Sequence, residues 1–451
     1  MSDSTAFAAT LAVVLAAWAW VTRRHGPAAG LGVAVLVSAL TPVWVRVEAL
    51  GLPVDCRTAA AGVALLWLCL DRRGRIRSPI VWVDGFVAAL VVWQMVSDSR
   101  ADGVSAAAAV RAYGEWAFPY LAGRLAIRGP LDTAVIARWG AGALAVLSGL
   151  ALLECFGGFN AYDAVYGPPD DPDFPRTASR YGLRRAMGPT EHPIFLGAVL
   201  LTLLPWAVPL WHGRRAAAAG VLVAGSAAMV ATLSRAPVAV WAVAAMVLAA
   251  VRWRALRWPV AGVLAAGAVG VAFFAEPIAL QLAKLTPESR NTTDVEINGR
   301  RYETSSATER IRVVQAWWPA LVKAGPVGFG TTATKGFPPD VPGRPSNPRT
   351  LKLLQYVDNG YLLVGIRLGW VGAGLLAGML LAAAASAVRL VDDRTLLGLP
   401  GALAAVLVAA VPLLLAVHLN YDFAFELISA CGFAGALASA DRAMRTGRPL
   451  A

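Results

Sequence analysis

The residues with the most chemical reach are arginines set at breaks in an apolar chain. Arg235 lies in Thr232-Leu-Ser-Arg-Ala-Pro237, between two apolar runs. Its guanidinium is a fixed fork suited to phosphate or pyrophosphate, and Ser234 shares the turn. The competing reading is an arginine that reaches for lipid headgroups. A second group, Arg184-Arg-Ala-Met-Gly-Pro-Thr-Glu-His-Pro193, directly precedes an apolar run. Arg185 there can bind phosphate, and Glu191 or His192 can take a proton from a hydroxyl. A plain helix start accounts for part of it, with Thr190 as cap, Glu191 near the positive dipole end and Pro193 early in the helix. Arg310 and Arg312 follow Ser306-Ala-Thr-Glu309, which matches a capping box. Arg310, Val314, Trp317 and Leu321 are spaced to share a helix face, and Gly325-Pro326 stops that helix. In Tyr356-Val-Asp-Asn-Gly-Tyr361, Asp358 and Asn359 can cap a helix or activate an acceptor hydroxyl. Arg111 and Glu115 are spaced to pair with each other. His418, Asn420 and Asp422 occupy the last turn between apolar runs.

Those residues must be positioned by membrane helices. The chain has 451 residues, of which 57% are hydrophobic and only 15% charged. A spanning helix takes about 20 apolar residues, and the pattern predicts an all-α polytopic membrane protein of about 12–13 such helices. The expected spans are 5–21, 29–45, 58–70, 79–97, 105–123, 134–156, 193–211, 216–233, 237–251, 258–275, 361–386, 398–417 and 423–440. No pair of matching broken spans is evident. One polar loop, 276–360, interrupts the apolar runs and contains the helix that begins near Glu309. Adjacent Trp317 and Trp318 suit a helix lying on the membrane interface.

The formal charge of +12 is carried largely by short clusters: Arg23–Arg24, Arg72 to Arg77, Arg214–Arg215, Arg252 to Arg257 and Arg442 to Arg448. These read as markers of cytoplasmic loops facing anionic lipid, not as a nucleic-acid surface. With the C-terminus inside, loops 157–192 and 276–360 both fall on the non-cytoplasmic side. The N-terminus lacks a basic segment before its first apolar run, so 5–21 is expected to be a retained span. Cys56, Cys69, Cys155 and Cys431 are scattered and imply neither a disulfide framework nor a metal site.

Walker A, H-E-x-x-H and G-x-S-x-G motifs are missing from the sequence, so neither ATP nor a protein-held metal of these kinds is expected. Arginines at an outer vestibule suit a substrate that arrives already activated, such as a lipid diphosphate. They would stabilise the leaving diphosphate as charge develops on it.

Taken in order, Arg185-x-x-Gly188-Pro-x-x-His192-Pro193, Leu233-Ser-Arg-Ala236, Arg310 with Trp317-Trp318, Pro326-Val-Gly-Phe-Gly330 and Asp358-Asn-Gly-Tyr-Leu362 resemble the O-antigen ligase and O-antigen polymerase superfamily, which shares the Wzy-C domain. The resemblance covers about 185–365, within a single integral membrane domain of residues 1–451. It implies a multi-pass protein of the bacterial inner membrane whose active site faces the periplasm. The expected chemistry is inverting, metal-independent glycosyl transfer from a glycan on undecaprenyl diphosphate, without a cofactor. Partners would be the lipid-linked donor, a glycan acceptor, membrane lipids and a flippase or chain-length regulator. Family arginines that hold the diphosphate carry over onto Arg235 and Arg310, and by extension Arg185. Ser234, His192, Arg312, Asn359 and Tyr361 are accessory candidates. Ligases of the family have a histidine before the Asn of the last motif; here Asp358 stands there. That departure favours an exopolysaccharide or O-antigen polymerase with Asp358 or Glu191 as base. The alternatives are a ligase moving a finished glycan to lipid A-core or another acceptor, and a transporter or flippase without catalysis.

Overall fold

A computed structural model of the protein describes residues 3–49, 52–71, 79–169, 178–284, 293–305, 308–334, 336–391, 398–420 and 423–445. Helix dominates, because in a bilayer each backbone polar group must be satisfied within its own segment. The chain opens with α1 (Asp3–His25) and α2 (Pro27–Ser38). The hairpin β1 (Arg46–Ala49) and β2 (Leu52–Asp55) leads to α3 (Cys56–Leu70). Next come α4 (Trp82–Asp102), α5 (Ala106–Ala112) and α6 (Phe118–Arg124), with a π turn over Tyr113–Ala117 between the last two. After α7 (Pro130–Gly157) come the short α8 (Ala161–Tyr166), the paired β3 (Ser179–Arg180) and β4 (Leu183–Arg184), and α9 (Pro193–Leu203). Pro205 and Pro209 turn the end of α9 into a 3-10 segment, Leu204–His212. The bundle continues with α10 (Arg215–Ala231), α11 (Arg235–Arg252) and α12 (Arg257–Lys284). The polar loop holds the hairpin β5 (Thr293–Ile297) and β6 (Arg300–Thr304), α13 (Glu309–Ala324) and α14 (Pro348–Leu353). The last helices are α15 (Gly360–Val388), α16 (Leu399–Leu413) and α17 (Ala424–Arg445).

Among the described residues, six helical stretches are long and apolar enough to cross a membrane: Ser4–His25, Pro130–Gly157, Pro193–His212, Arg235–Arg252, Gly360–Val388 and Ala424–Ala443. Shorter apolar helices, α2, α3, α10 and α16, pack among them. Other expected spans are helical but interrupted or charged: α4 carries Asp84, Asp98, Arg100 and Asp102, and α5–α6 is broken by its π turn.

The expected continuous span 361–386 is also broken. Gly369 adopts φ 72° and ψ −177° inside α15, which a side chain resists, and a Cβ there would meet the Pro326 carbonyl oxygen. The freed backbone groups are taken up by the turn after α13. Phe329 N donates to Ile366 O (3.0 Å) and Gly330 N to Arg367 O (2.8 Å), while Trp370 N donates back to Gly325 O (3.0 Å). From α4, Trp93 Nε1 donates to Leu368 O and Ser97 Oγ to Arg367 O, both at 2.8 Å. The polar loop is thereby stitched into the bundle through its Pro326–Gly330 turn.

The loop has its own small core: Val295, Ile297, Val313, Ala316, Trp317, Leu354, Val357, Leu362 and Ile366. This corrects the interfacial placement of Trp317, which is fully buried and donates Nε1–H to Leu354 O at 2.8 Å. Trp318 is the exposed one of the pair. The expected capping box rests partly on Ser306, which lies outside the described residues; α13 starts from Thr308.

Candidate functional site at the converging helix starts

The site is built on a buried carboxylate. Glu154, near the end of α7, is 1% exposed and accepts the backbone N–H groups of Met187 (3.0 Å) and Gly188 (2.9 Å), while its other oxygen accepts Asn160 Nδ2 (2.8 Å). Gly188 takes φ +53° there. Arg184 lies between Glu154 (3.7 Å) and Asp163 (3.4 Å). The clamp fixes the strip before α9, and the strip grips the turn between α10 and α11. Ala186 N donates to Ala231 O (3.1 Å), Arg180 Nη1 to Leu233 O (2.7 Å), and Arg185 Nη2 to Ser234 Oγ (3.0 Å). Leu233 is held at φ +50°, unusual for a branched residue. Ser234 is the N-cap of α11, but its hydroxyl makes no capping bond to that helix. Arg235 follows, exposed. Helices α9 and α11 touch so closely that a Cβ on Gly197 would lie 2.6 Å from Pro237 Cβ.

His192 is the N-cap of α9: its Nδ1 accepts the N–H of Ile194 at 3.1 Å. This corrects the assignment of Thr190 as cap, since the Thr190 hydroxyl donates to Met187 O (2.7 Å) and lies 3.0 Å from His192 O. A ring nitrogen that accepts a hydrogen bond carries no proton, so the neutral imidazole is protonated at Nε2. Burial first, then Arg185, push the His192 pKa down to about 3; Arg310 and His418 act in the same direction and Asp358 opposes them. His192 therefore suits donating a hydrogen bond, not taking a proton. Arg185, Arg310, Asp358 and His418 all act electrostatically on this one imidazole. Glu191 is half-buried one residue ahead.

Arg310 projects from the first turn of α13, exposed. Neither Arg310 nor Arg235 makes a hydrogen bond or ion pair among the described residues. Arg312 is different. It is 3% exposed, bonds Glu276 (2.6 Å) and Gln315 (2.7 Å), and stacks over the Tyr302 ring at 4.2 Å. It holds α13 to the hairpin and to α12. Glu309 beside it has its pKa raised, first by burial and then by Asp358.

Asn359 is the N-cap of α15, accepting Leu362 N at 2.9 Å, and Tyr361 Oη donates to Val411 O at 3.2 Å. Both serve the junction of α15 with α16, which Gly360 N to Leu414 O (2.7 Å) tightens. Asp358 is left exposed, 3.7 Å from His418 Nδ1. The aromatic rings of Phe195 and Phe337 flank His418, with centroids 5.6 Å and 5.7 Å away. Asp422 lies outside the described residues.

The expected Arg111–Glu115 pair does not form. The π turn between them shifts the register, and each reaches elsewhere: Arg111 to Asp98 (3.5 Å) and Thr331 (2.6 Å), Glu115 to Arg367 (2.9 Å). These contacts fasten α4, α5 and α15 to the turn after α13. Sequence reading missed Glu154, Asp98 and Arg367, whose signal was a charge within or beside an apolar run.

The starts of α9, α11, α13 and α15 thus bring their positive dipole ends, with Arg185, Arg235 and Arg310, to one end of the bundle. Such an arrangement has the charge and donor geometry suited to an anion with several oxygens. Residues 218–377 match the sequence profile of a protein family described as O-antigen ligase, Wzy_C. The matched stretch contains Arg235, Arg310 and Asp358, and leaves Arg185, His192 and His418 outside. No curated protein matched the chain.

Proposed function

From residues 218–377, which carry an O-antigen ligase-type domain and support a place in the O-antigen ligase and polymerase superfamily, we propose that this multi-pass membrane protein polymerises lipid-linked glycan repeat units. The domain supports glycosyl transfer of the ligase or polymerase type in general. In the proposed reaction an acceptor hydroxyl displaces the diphosphate of an undecaprenyl-diphosphate-linked glycan, with inversion at the sugar carbon. Arg235 and Arg310, with Arg185 beside them, hold the diphosphate and take up the charge of the leaving group, a task that needs no metal ion. Asp358 and Glu191 stand on the acceptor side. The site opens to the periplasmic side of the inner membrane, and a flippase would supply the donor.

The observation that carries this reading is the pair of guanidinium groups, Arg235 and Arg310, that make no hydrogen bond or ion pair among the described residues, at the converging helix starts. The acidic residue at 358 favours polymerase over a histidine-based ligase. Purified protein supplied with lipid-linked repeat units tests it: a ladder of products is expected. A single transfer to a distinct acceptor would mark a ligase. Scrambling of the lipid without transfer would mark a transporter.

A further inference from the structure

His418 belongs to none of the motifs that suggested the function, and it lies outside the family match. It sits in the turn between α16 and α17. The folding of α16 onto the start of α15 delivers it to Asp358: Gly360 N bonds Leu414 O, and Tyr361 bonds Val411 O. Its Nδ1 is buried, has no hydrogen-bond partner among the described residues, and faces Asp358 Oδ1 at 3.7 Å. Phe195 meets the imidazole edge-on, and Phe337 packs against it at a tilt, which fixes the ring plane. The other imidazole here, His192, is spoken for by its helix cap and its depressed pKa.

We propose that His418 is the proton acceptor for the attacking hydroxyl, with Asp358 as the positioning residue behind it. The proposal rests on the glycosyl-transfer reading above. Asp358 accepts Nδ1–H, which leaves Nε2 as the basic nitrogen. A separation of 3.7 Å is longer than a hydrogen bond, and contacts of this kind close when substrate is bound. The acceptor oxygen forms a bond to the anomeric carbon as the carbon–oxygen bond to the diphosphate breaks. The bonding pair leaves with the lipid diphosphate, and the hydroxyl proton passes to Nε2. The resulting imidazolium is stabilised by the Asp358 carboxylate; Arg185 and Arg310, which act on the neighbouring His192, oppose it, and Glu309 lies near Asp358.

The test uses the full chain in lipid nanodiscs, with lipid-linked repeat units as substrate and undecaprenyl diphosphate as binding probe. H418A and H418Q are expected to slow transfer by about 10²–10⁴-fold, with probe binding within about twofold of wild type. The wild-type rate should fall as the medium is acidified, and the residual rate of H418Q should lack that limb. Added imidazole should raise the H418A rate several-fold, and D358E should recover part of what D358N loses. An H418Q rate within about threefold of wild type, or an acid limb unchanged in H418Q, overturns the assignment. Wild-type protein that binds the probe but transfers nothing overturns the glycosyl-transfer reading itself, and His418 with it.

Discussion

At the residue scale, three arginines near one another have different tasks, and burial separates them. Arg235 and Arg310 are exposed and unbonded among the described residues, whereas Arg312 is buried against Glu276 and Tyr302. R235A and R310A are expected to abolish transfer and weaken undecaprenyl diphosphate binding while the protein stays folded, as read by size-exclusion profile and melting temperature. R312A should lower stability by about 1–3 kcal/mol and affect transfer only through that loss. The depressed pKa of His192 makes a second prediction. Between the usual histidine pKa of about 6.5 and the folded value of about 3, the unfolded state binds the extra proton. Stability therefore falls as pH drops through that window. H192Q should melt with a smaller difference between neutral and mildly acidic buffer than wild type; equal differences would contradict the assignment.

Among the elements, the break in α15 joins the polar loop to the bundle. A straight helix from 360 to 388 would leave the Pro326–Gly330 turn without partners and α13 without a fixed seat. The break exposes carbonyls that this turn, Trp93 and Ser97 occupy. Asp98 adds a buried anchor by accepting Thr331 N (2.7 Å) and the Thr331 hydroxyl (2.9 Å). G369A is expected to cost more than the 1–2 kcal/mol of a left-handed backbone, about 2–4 kcal/mol with the clash against Pro326. Faster limited proteolysis of the 336–356 stretch and a lower melting temperature should report it, with transfer lost as α13 and Arg310 drift from Arg185. The sequence carried a cue to this break in its Gly369, but an isolated glycine in a long apolar run is common in membrane helices. Only the loop's hydrogen bonds identify it as a break. The π turn at Tyr113–Ala117 was equally hidden, since spacing alone paired Arg111 with Glu115.

For the whole molecule, arginines divide between two ends of the same helices. Arg215 starts α10, Arg252 ends α11, and Arg389 follows α15. The Thr232–Arg235 turn and Asp358 lie at the opposite ends of those helices. By the positive-inside rule the basic ends are expected to face the cytoplasm, which would put the proposed site on the other side of the membrane. In a cysteine-free background, N298C is expected to react with a membrane-impermeant thiol reagent added from the periplasmic side, and R254C or R389C only after permeabilisation. Labelling of N298C solely from the cytosol would invert the topology and remove the proposed access for lipid-linked donors.

The primary structure by itself determined the class of this protein: runs of apolar residues long enough to span a bilayer, arginines at their margins, and a polar loop with one helix. These follow from transfer energies and helix periodicity, which are local properties. It also supplied Arg235, Arg310, Arg185 and Asp358 as candidates, because a charge next to an apolar run is costly and stands out. Tertiary structure decided which of those groups meet, and which are consumed in holding the scaffold. Arg312, Asn359 and Tyr361 are bonded into the scaffold, and His418 lies beside Asp358. Such pairings join segments far apart in the chain, as Asp358 and His418 do at 3.7 Å, and no local pattern encodes a distance across a bundle.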